Sequence, residues 1–182
     1  RVLFRSIVII VFACILFFFR GANVKIGEDN VIYCPCDGVV KDVIDYPTST
    51  HIIIFLNVHN IHVQYSPVQG DIISLKKIPG TFVPAYFLEK SKYNERNEYI
   101  IRSKVFGNIK FVQIAGQVAR RIVSFVKEGE QVKALQPIGL IKLGSRCDII
   151  IPKTPSLTKQ RLKVKKSDRV HIGDILLTQY LP

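Results

Sequence analysis

The sequence lacks the residue spacing of a metal site. Its four cysteines are Cys14, Cys34, Cys36 and Cys147, and only the second and third lie close together, as C-x-C. Because structural zinc sites need two Cys or His pairs at ligand spacing, this pattern argues against a zinc finger or ribbon. We therefore expect no bound metal and four reduced thiols, which favours a catalytic face on the cytoplasmic side.

Acidic residues are scarce. The chain has 14 Asp and Glu against 26 Lys and Arg, a formal charge of +12, so its surface should attract an anionic partner. Nucleic acid is not the expected partner, because the sequence has no zinc pattern, no helix-turn-helix pattern and no interleaved aromatic and basic residues. One basic stretch contains a single acid, Asp168, and comprises Lys153, Lys159, Arg161, Lys163, Lys165, Lys166 and Arg169.

Two explanations fit this basic stretch. Such a run is usually a solvated loop and strand face. Next to an anionic membrane surface, however, each basic residue can add about 1 kcal/mol of binding free energy. An anionic membrane is therefore the partner that the charge favours once an apolar anchor is also present.

Long amphipathic helices are also missing. Runs rich in β-branched and aromatic residues occupy positions 31–33, 52–58, 109–114 and 121–126, separated by Asp-Gly, Pro-Gly and Glu-Gly turn signals. Residues 81–91 can hold a short helix or an ordered loop, and residues 92–97 are polar and predict a surface loop. At 182 residues, the chain predicts a single, mostly β domain with a real core.

A weak internal repeat supports a hairpin-based domain. Residues 126–132, followed by Ile138, are echoed 38 positions later by residues 164–170, followed by Leu176. Each copy predicts a hairpin with a polar turn, which is typical of barrel-sandwich and double-psi-like β domains, biotinyl and lipoyl carriers among them. A carrier needs a modifiable lysine at a hairpin tip, and Lys133 has no modification motif around it.

The first twenty residues predict an apolar anchor helix. Thirteen uninterrupted apolar residues, positions 7–19, follow Arg1 and Arg5 and precede Arg20. Thirteen helical residues reach about 20 Å against a bilayer core of about 30 Å, so a short span and an interfacial helix are both open, and more of the anchor can lie upstream. A secretory signal peptide is the alternative, but residues 17–21 offer no small-x-small cleavage site.

One segment carries recognisable chemistry. Residues 139–152 read Gly-Leu-Ile-Lys-Leu-Gly-Ser-Arg-Cys-Asp-Ile-Ile-Ile-Pro. By itself, Leu143-Gly144-Ser145 predicts only a turn between strands. With Arg146 and Asp148 after it, the segment strongly resembles the self-cleavage site of phosphatidylserine decarboxylases, in particular their short bacterial and archaeal form.

Four further segments resemble the same family in the same order, and the resemblance runs from about residue 17 to residue 178. They are Cys-Pro-Cys-Asp-Gly-Val at 34–39, the segment 55–70 with its Asn-Val-His-Asn-Ile-His-Val core, Asn-Glu-Arg-Asn at 94–97, and Gln-Ile-Ala-Gly-Gln-Val-Ala-Arg-Arg-Ile-Val at 113–123. Five ordered matches make coincidence implausible, whereas fold alone would be a weak basis for function.

The resemblance implies that the chain is a proenzyme. Ser145 would attack the carbonyl of Gly144, separate residues 1–144 from residues 145–182, and become a covalent pyruvoyl group that acts as an electron sink. The products expected from a serine phospholipid are phosphatidylethanolamine and carbon dioxide. The two fragments should stay associated in a domain of residues 21–182, at the cell membrane, and the family also allows a homodimer.

Two further residues take their roles from the resemblance. Asp37, otherwise an ordinary turn residue before glycine, matches the aspartate of the self-processing group. His62 matches the histidine of the family's second signature, which can donate or accept a proton near neutral pH. Longer relatives carry another histidine at position 65, where this chain has Tyr65, so the base for self-cleavage stays open. His59 is treated as incidental.

Two other classes of function compete with the enzyme. A non-catalytic barrel-sandwich adaptor anchored to a membrane would stay uncut, as would a degenerate relative that keeps only the fold. The intact Gly144-Ser145 pair, together with Asp37 and His62, argues against degeneracy. The sequence does not distinguish phosphatidylserine from archaetidylserine, since both lipids present the same headgroup.

Overall fold

Strands dominate the fold. In a computed structural model, the structure describes residues 2–117, 121–142, 145–153 and 160–179. The helices are α1 (Val2–Phe18) and α2 (Leu88–Ser91). The strands are β1 (Val31–Tyr33), β2 (Gly38–Asp45), β3 (Ser49–Leu56), β4 (Val63–Tyr65), β5 (Gly70–Ile78), β6 (Arg96–Ser103), β7 (Gly107–Ile114), β8 (Ile122–Ser124), β9 (Gln131–Val132), β10 (Pro137–Ile141), β11 (Ser145–Pro152), β12 (Gln160–Leu162), β13 (Arg169–Val170) and β14 (Ile175–Gln179). The prediction of a mostly β domain is confirmed.

The strands form three sheets. The largest has the order β13-β2-β3-β11-β7-β6-β5-β9, and two three-stranded sheets have the orders β1-β14-β12 and β4-β10-β8. Strand β11 lies near the middle of the large sheet, where it pairs antiparallel with β3 on one side and β7 on the other. Alternate side chains of these strands, including Ile52, Ile54 and Phe111, are fully buried in the main core.

The apolar N-terminal segment forms helix α1, and most of its described side chains are exposed, as in Phe4 at 72% and Ile9 at 67%. No helix among the described residues is both long enough and apolar enough to cross a membrane.

The repeat with an offset of 38 is also a repeat of backbone conformation. Gly129 and Ser167 have φ values of 89° and 75°, and Leu135 and Gly173 have φ values of 64° and 93°. Left-handed backbone is uncommon outside glycine. Its recurrence at both pairs of matching positions shows that the two copies share a turn conformation. The predicted hairpins are wrong, because the strands after the two turns pair elsewhere, β9 with β5 and β13 with β2.

A second repeat was not predicted. Residues 31–38 and 63–70 share the pattern Val-x-Tyr-x-Pro-x-x-Gly at an offset of 32. The two copies bond to each other reciprocally, since the Tyr33 amide donates to the Pro67 carbonyl and the Tyr65 amide donates to the Pro35 carbonyl, both at 2.9 Å. The domain therefore consists of two interlocked, similar halves.

The prediction that residues 92–97 form a surface loop is wrong. Asn94 is fully buried there, and its amide nitrogen donates to the carbonyls of Val83 and Ala115, each at 2.7 Å. Its side-chain oxygen accepts hydrogen bonds from the Thr81 hydroxyl and the Val83 amide, each at 3.0 Å. A polar residue can be buried when its hydrogen-bonding groups are satisfied, and polarity alone did not reveal that.

Candidate active site

Ser145 is the first residue of β11, and its side chain is fully buried. It lies opposite Leu56 of β3 in the sheet register. Among the described residues, its hydroxyl has no hydrogen-bond partner. An unsatisfied buried hydroxyl costs free energy, so its retention calls for a functional reason. Leu143 and Gly144, the other residues of the predicted cleavage site, lie outside the described residues.

Arg146 fixes the strand directly after Ser145. Its guanidinium donates two hydrogen bonds of 2.6 Å to the Asp148 carboxylate, two residues further along β11. It also donates to the Leu88 carbonyl at 3.0 Å and to the Ser91 hydroxyl at 3.1 Å. Burial raises the pKa of the Asp148 carboxyl, and the charge of Arg146 opposes that rise. This ion pair ties the start of β11 to α2.

Asp37 precedes β2 and is nearly buried. Its carboxylate accepts a hydrogen bond of 3.0 Å from the Ile172 amide and lies 3.7 Å from Nδ1 of His171, whose side chain is exposed. Asp37 therefore joins the N-terminal half of the domain to the β13–β14 turn. The sequence analysis did not anticipate either contact.

His62 is fully buried, and its environment defines how it can act. Its Nδ1 lies 2.8 Å from the Asn60 carbonyl, which can only accept, so Nδ1 holds a proton and the neutral ring has its lone pair on Nε2. Its ring packs against that of Phe18 at the end of α1, with centroids 4.4 Å apart. Burial lowers the pKa of His62, with the nearby Asp37 carboxylate acting in the opposite direction. A neutral imidazole of this kind is a base at Nε2.

The sheet register brings the three predicted residues to one end of the domain. Val39 pairs with Phe55, so Gly38 faces Leu56, the residue that Ser145 faces from the other side. Neighbouring strands lie about 4.8 Å apart, which places the backbones of Gly38 and Ser145 about 10 Å apart. His62 joins them because its carbonyl accepts a hydrogen bond of 3.1 Å from the Ile141 amide, four residues before Ser145.

Tyr65 holds the segment after α1 against the domain. Its hydroxyl accepts a hydrogen bond of 2.8 Å from the Ala22 amide and lies 3.4 Å from the Ala22 carbonyl. The His59 carbonyl accepts a hydrogen bond of 2.9 Å from Arg20. The residue that replaces the second family histidine therefore has a structural contact of its own.

A large apolar cavity lies between α1 and the residues that precede Ser145. Its volume is about 980 Å³. Helix α1 supplies most of its wall, from Ile10 to Phe18, and Phe19, Val58, His59 and Lys142 complete it. His59, treated as incidental in the sequence analysis, therefore lines a cavity near the candidate site. Lys142 places a positive charge at this largely apolar surface.

Three free thiols, those of Cys34, Cys36 and Cys147, are buried beside these residues. Burial raises the pKa values of Cys34 and Cys36 well above the usual range. Thiols of this kind are protonated and unreactive, so they provide packing rather than nucleophiles. In the part of the chain that the structure describes, no cluster of three or more His, Cys, Asp or Glu side chains could hold a metal ion.

Comparison with known proteins gives one consistent family. A sequence model of the phosphatidylserine decarboxylase family matches residues 11–178. A phosphatidylserine decarboxylase proenzyme from Streptomyces griseus is 43% identical over 141 residues, which are 77% of this chain and 64% of that protein. One from Carboxydothermus hydrogenoformans is 38% identical over 175 residues, which are 92% of this chain and 80% of that protein.

An archaeal relative also matches. A protein from Methanosarcina barkeri, provisionally named an archaetidylserine decarboxylase proenzyme, is 37% identical over 161 residues, or 88% of this chain and 74% of that protein. The chain thus spans about two thirds to four fifths of the lengths of these relatives, and slightly less than two thirds of the Streptomyces griseus protein.

Proposed function

We propose that this chain, which belongs to the phosphatidylserine decarboxylase family, cuts itself between Gly144 and Ser145 and then decarboxylates a serine phospholipid such as phosphatidylserine. The observation that carries the proposal is the Ser145 hydroxyl, which is buried at the start of β11, directly after Gly144, and has no partner among the described residues. The proenzyme names of the relatives support self-cleavage of this chain.

Self-cleavage needs a nucleophile and a base. The Ser145 hydroxyl would attack the Gly144 carbonyl carbon, its proton would pass to a neighbouring base, and the Ser145 nitrogen would leave with a proton, so that an ester replaces the peptide bond. Elimination would then release residues 1–144 with a free carboxylate and leave a dehydroalanine at position 145. Hydrolysis of that residue would release ammonia and leave the pyruvoyl group. Glycine at position 144 leaves the carbonyl free of side-chain obstruction. Asp37 and His62 lie at the same end of the sheet, and neutral His62 has the lone pair that a base requires.

The second stage uses the group that Ser145 becomes. A pyruvoyl ketone at this position would supply the electron sink for decarboxylation. The buried Ser145 side chain fits such a group, because no described side chain holds its oxygen by a hydrogen bond. His62 would accept a proton at Nε2 and return it to the carbon that loses carbon dioxide, while Phe18 excludes water from its ring.

The cavity beside α1 supports a lipid substrate. It is large and mostly apolar, as an acyl chain requires, and Lys142 could attract the lipid phosphate. The exposed apolar side chains of α1 support an interfacial anchor for residues 1–20 at the cell membrane. Residues 21–182 would then form the catalytic domain on the cytoplasmic side, with the two interlocked halves arranged as a barrel-sandwich or double-psi-like domain.

An intact mass spectrum of the purified protein tests the proposal. We expect two polypeptides, residues 1–144 and residues 145–182, the second lacking a free amino terminus. Ser145→Ala should give one folded, uncut chain without decarboxylase activity. A folded wild-type chain that stays uncut would contradict the proposal and favour a non-catalytic membrane adaptor or a degenerate relative.

A further inference from the structure

A chain of buried side-chain hydrogen bonds ends on the backbone of His62. The Tyr99 hydroxyl donates to Oε1 of Gln113 at 2.8 Å, and Nε2 of Gln113 donates to Oε1 of Gln64 at 2.7 Å. Nε2 of Gln64 then donates to the His62 carbonyl at 2.6 Å. Tyr99, Gln113 and Gln64 are all fully buried, and so is His62.

The hydrogen bonds in this series all run in one direction, with each donor on the side of Tyr99 and each acceptor on the side of His62. Each amide accepts from the preceding residue and donates to the next, so the bonds polarise one another in an environment of low dielectric constant. Buried amides are costly unless their groups are satisfied, and a chain of satisfied amides has little freedom to move. This series of hydrogen bonds is therefore a rigid connection between Tyr99 and the His62 backbone.

The connection joins β7, the strand next to the one that contains Ser145, to the segment that contains His62. Gln113 lies on β7 opposite Cys147 of β11, two residues after Ser145. Gln64 lies on β4, in a different sheet. The bond between the two glutamines thus crosses from the large sheet to the small one.

Strand β10 leaves space for this bond. Gly139 lies opposite Gln64, and a Cβ atom built on Gly139 would lie 2.7 Å from Nε2 of Gln113. The same Cβ atom would lie 2.8 Å from the Val123 backbone carbonyl, so a side chain at position 139 would disturb the sheet where the Gln113 amide passes. Two residues later, at the end of β10, the Ile141 amide donates to the same His62 carbonyl.

We propose that Gln64 and Gln113 are positioning residues, which hold His62 at a fixed place relative to Ser145 during self-cleavage and turnover. The proposal rests on the function proposed above. Neither glutamine acts on the substrate; each works through the His62 backbone. A shift of about 1 Å in such a group can lower a rate on the order of 10²-fold.

The test compares three variants. Gln64→Met/Gln113→Met replaces both amides by apolar side chains of similar length, which avoids an unsatisfied partner between them and should preserve the fold. Gln64→Met alone removes the donor to His62 and also the acceptor for Nε2 of Gln113, so its stability must be compared with that of the double variant. Tyr99→Phe is the matched control, because it removes the far end of the chain and leaves the bond from Gln64 to His62 in place.

We expect the double variant to self-cleave about 10- to 100-fold more slowly and to lose kcat by a similar factor, with KM within about twofold of the wild type. Gln64→Met should behave in the same direction, and Tyr99→Phe should stay within about threefold in both rates. Thermal melting measured on the same samples separates positioning from stability. The proposal is wrong if the double variant cleaves and turns over normally, or if the activities of all three variants fall only in proportion to their melting temperatures.

An NMR titration of the histidine ring protons tests the inference without any activity. In the double variant, His62 should titrate closer to its ordinary pKa of about 6.5, because a looser ring is more hydrated. An unchanged His62 signal and titration would overturn the inference. A wild-type chain that stays uncut would contradict the proposed function, while this titration would still decide the role of the glutamines.

Discussion

His62 and Asp37 occupy the same end of the sheet but differ in what holds them. Nδ1 of His62 donates to the Asn60 carbonyl, and the His62 ring packs against Phe18. The Asp37 carboxylate instead accepts a hydrogen bond from the Ile172 amide, which follows β13. A substitution at Asp37 can therefore act through charge or through structure. Asp37→Asn removes the charge but keeps an oxygen for the Ile172 amide, so it separates the two effects.

The first prediction separates cleavage from turnover. If His62 serves mainly in decarboxylation, His62→Ala should still give two fragments but lower kcat by about 10²- to 10⁴-fold, which is the usual effect of losing a positioned acid or base. Asp37→Asn should impair cleavage if the carboxylate belongs to the processing group. Gel analysis of fragment formation and a carbon dioxide release assay measure the two stages.

Tyr65→Phe is the control for these two variants. The Tyr65 hydroxyl already hydrogen-bonds with the Ala22 backbone, so the structure gives it a role other than that of a base. The variant should lose only the hydrogen bonds to Ala22, about 1 kcal/mol of stability, and still cleave. Failure of Tyr65→Phe to cleave, with normal His62→Ala and Asp37→Asn proteins, would show that these roles are assigned wrongly even within the right family.

A second prediction concerns the stability of the uncut Ser145→Ala protein at mildly acidic pH. Burial lowers the pKa of folded His62 below its unfolded value of about 6.5. As the pH falls through that value, the unfolded chain binds a proton that the folded chain does not bind. The free energy of unfolding should therefore decrease below about pH 6.5, by at most about 1.4 kcal/mol per pH unit for this residue.

Urea unfolding at several pH values, with and without His62→Asn, measures this effect. The substituted protein should show a smaller decrease, and His51, whose pKa burial also lowers, should account for part of what remains. Identical pH profiles for the two proteins would contradict the pKa shift.

Helix α1 differs from the other elements because the described part of the chain leaves most of its apolar surface uncovered. Its described side chains are mostly exposed and apolar, yet its last turn packs on His62 through Phe18. The helix could thus couple a lipid surface to the candidate site. Its sequence predicted an apolar helix but not the ring contact, because the partner lies 44 residues away along the chain.

The third prediction follows from this position of α1. Removing residues 1–20 should increase solubility, expose the His62 ring and lower turnover of lipid in vesicles more than turnover of a soluble short-chain serine lipid. Residual binding to anionic vesicles should weaken as salt rises, because charge attraction is screened over about 10 Å at 0.1 M salt. Vesicle sedimentation at several salt concentrations measures this binding, and salt-independent binding by the truncated protein would exclude a role for the basic stretch.

Other elements show which kinds of structure the sequence could predict. The strand at 31–33 and the turn that recurs at an offset of 38 were identifiable because alternation and turn residues are local signals, whereas the pairing of the strands around each turn was predicted wrongly. The position of β11 between β3 and β7 was not, since pairing partners far apart in sequence leave no local pattern. The buried links from Gln113 to Gln64 and from Arg146 to Ser91 were missed for the same reason, although Gln113 and Arg146 stood within the family segments.

The whole molecule contains two copies of the repeat with an offset of 32, and the two copies carry different side chains at matching positions. Asp37 in the first copy of the repeat with an offset of 32 corresponds to Gln69 in the second, and Gly38 corresponds to Gly70. Both glycines lie directly against a neighbouring strand, at the carbonyls of Phe55 and Arg102 respectively. The shared backbone with different side chains indicates that the function resides in a few residues placed on a duplicated scaffold.

The fourth prediction concerns the fragments after cleavage. Residues 145–182 contribute β11 to the middle of the large sheet, β13 to the edge beside β2, and β14 to a pair with β1. Because these strands pair with residues 1–144, the fragments should elute together in size-exclusion chromatography and separate only in denaturant. Loss of the smaller fragment under native conditions would contradict the register of β11.

The buried cysteines can be used to measure how often the core becomes exposed to solvent. Cys34, Cys36 and Cys147 are all buried in the core, and the proposed cleavage would leave the first two in the longer fragment and Cys147 in the shorter one. An alkylating reagent can modify them only when that core opens, so the rate of labelling at Cys147 measures how often the interior around Ser145 meets solvent. Following this labelling before and after self-cleavage would reveal whether breaking the peptide bond loosens the domain, with no engineered probe.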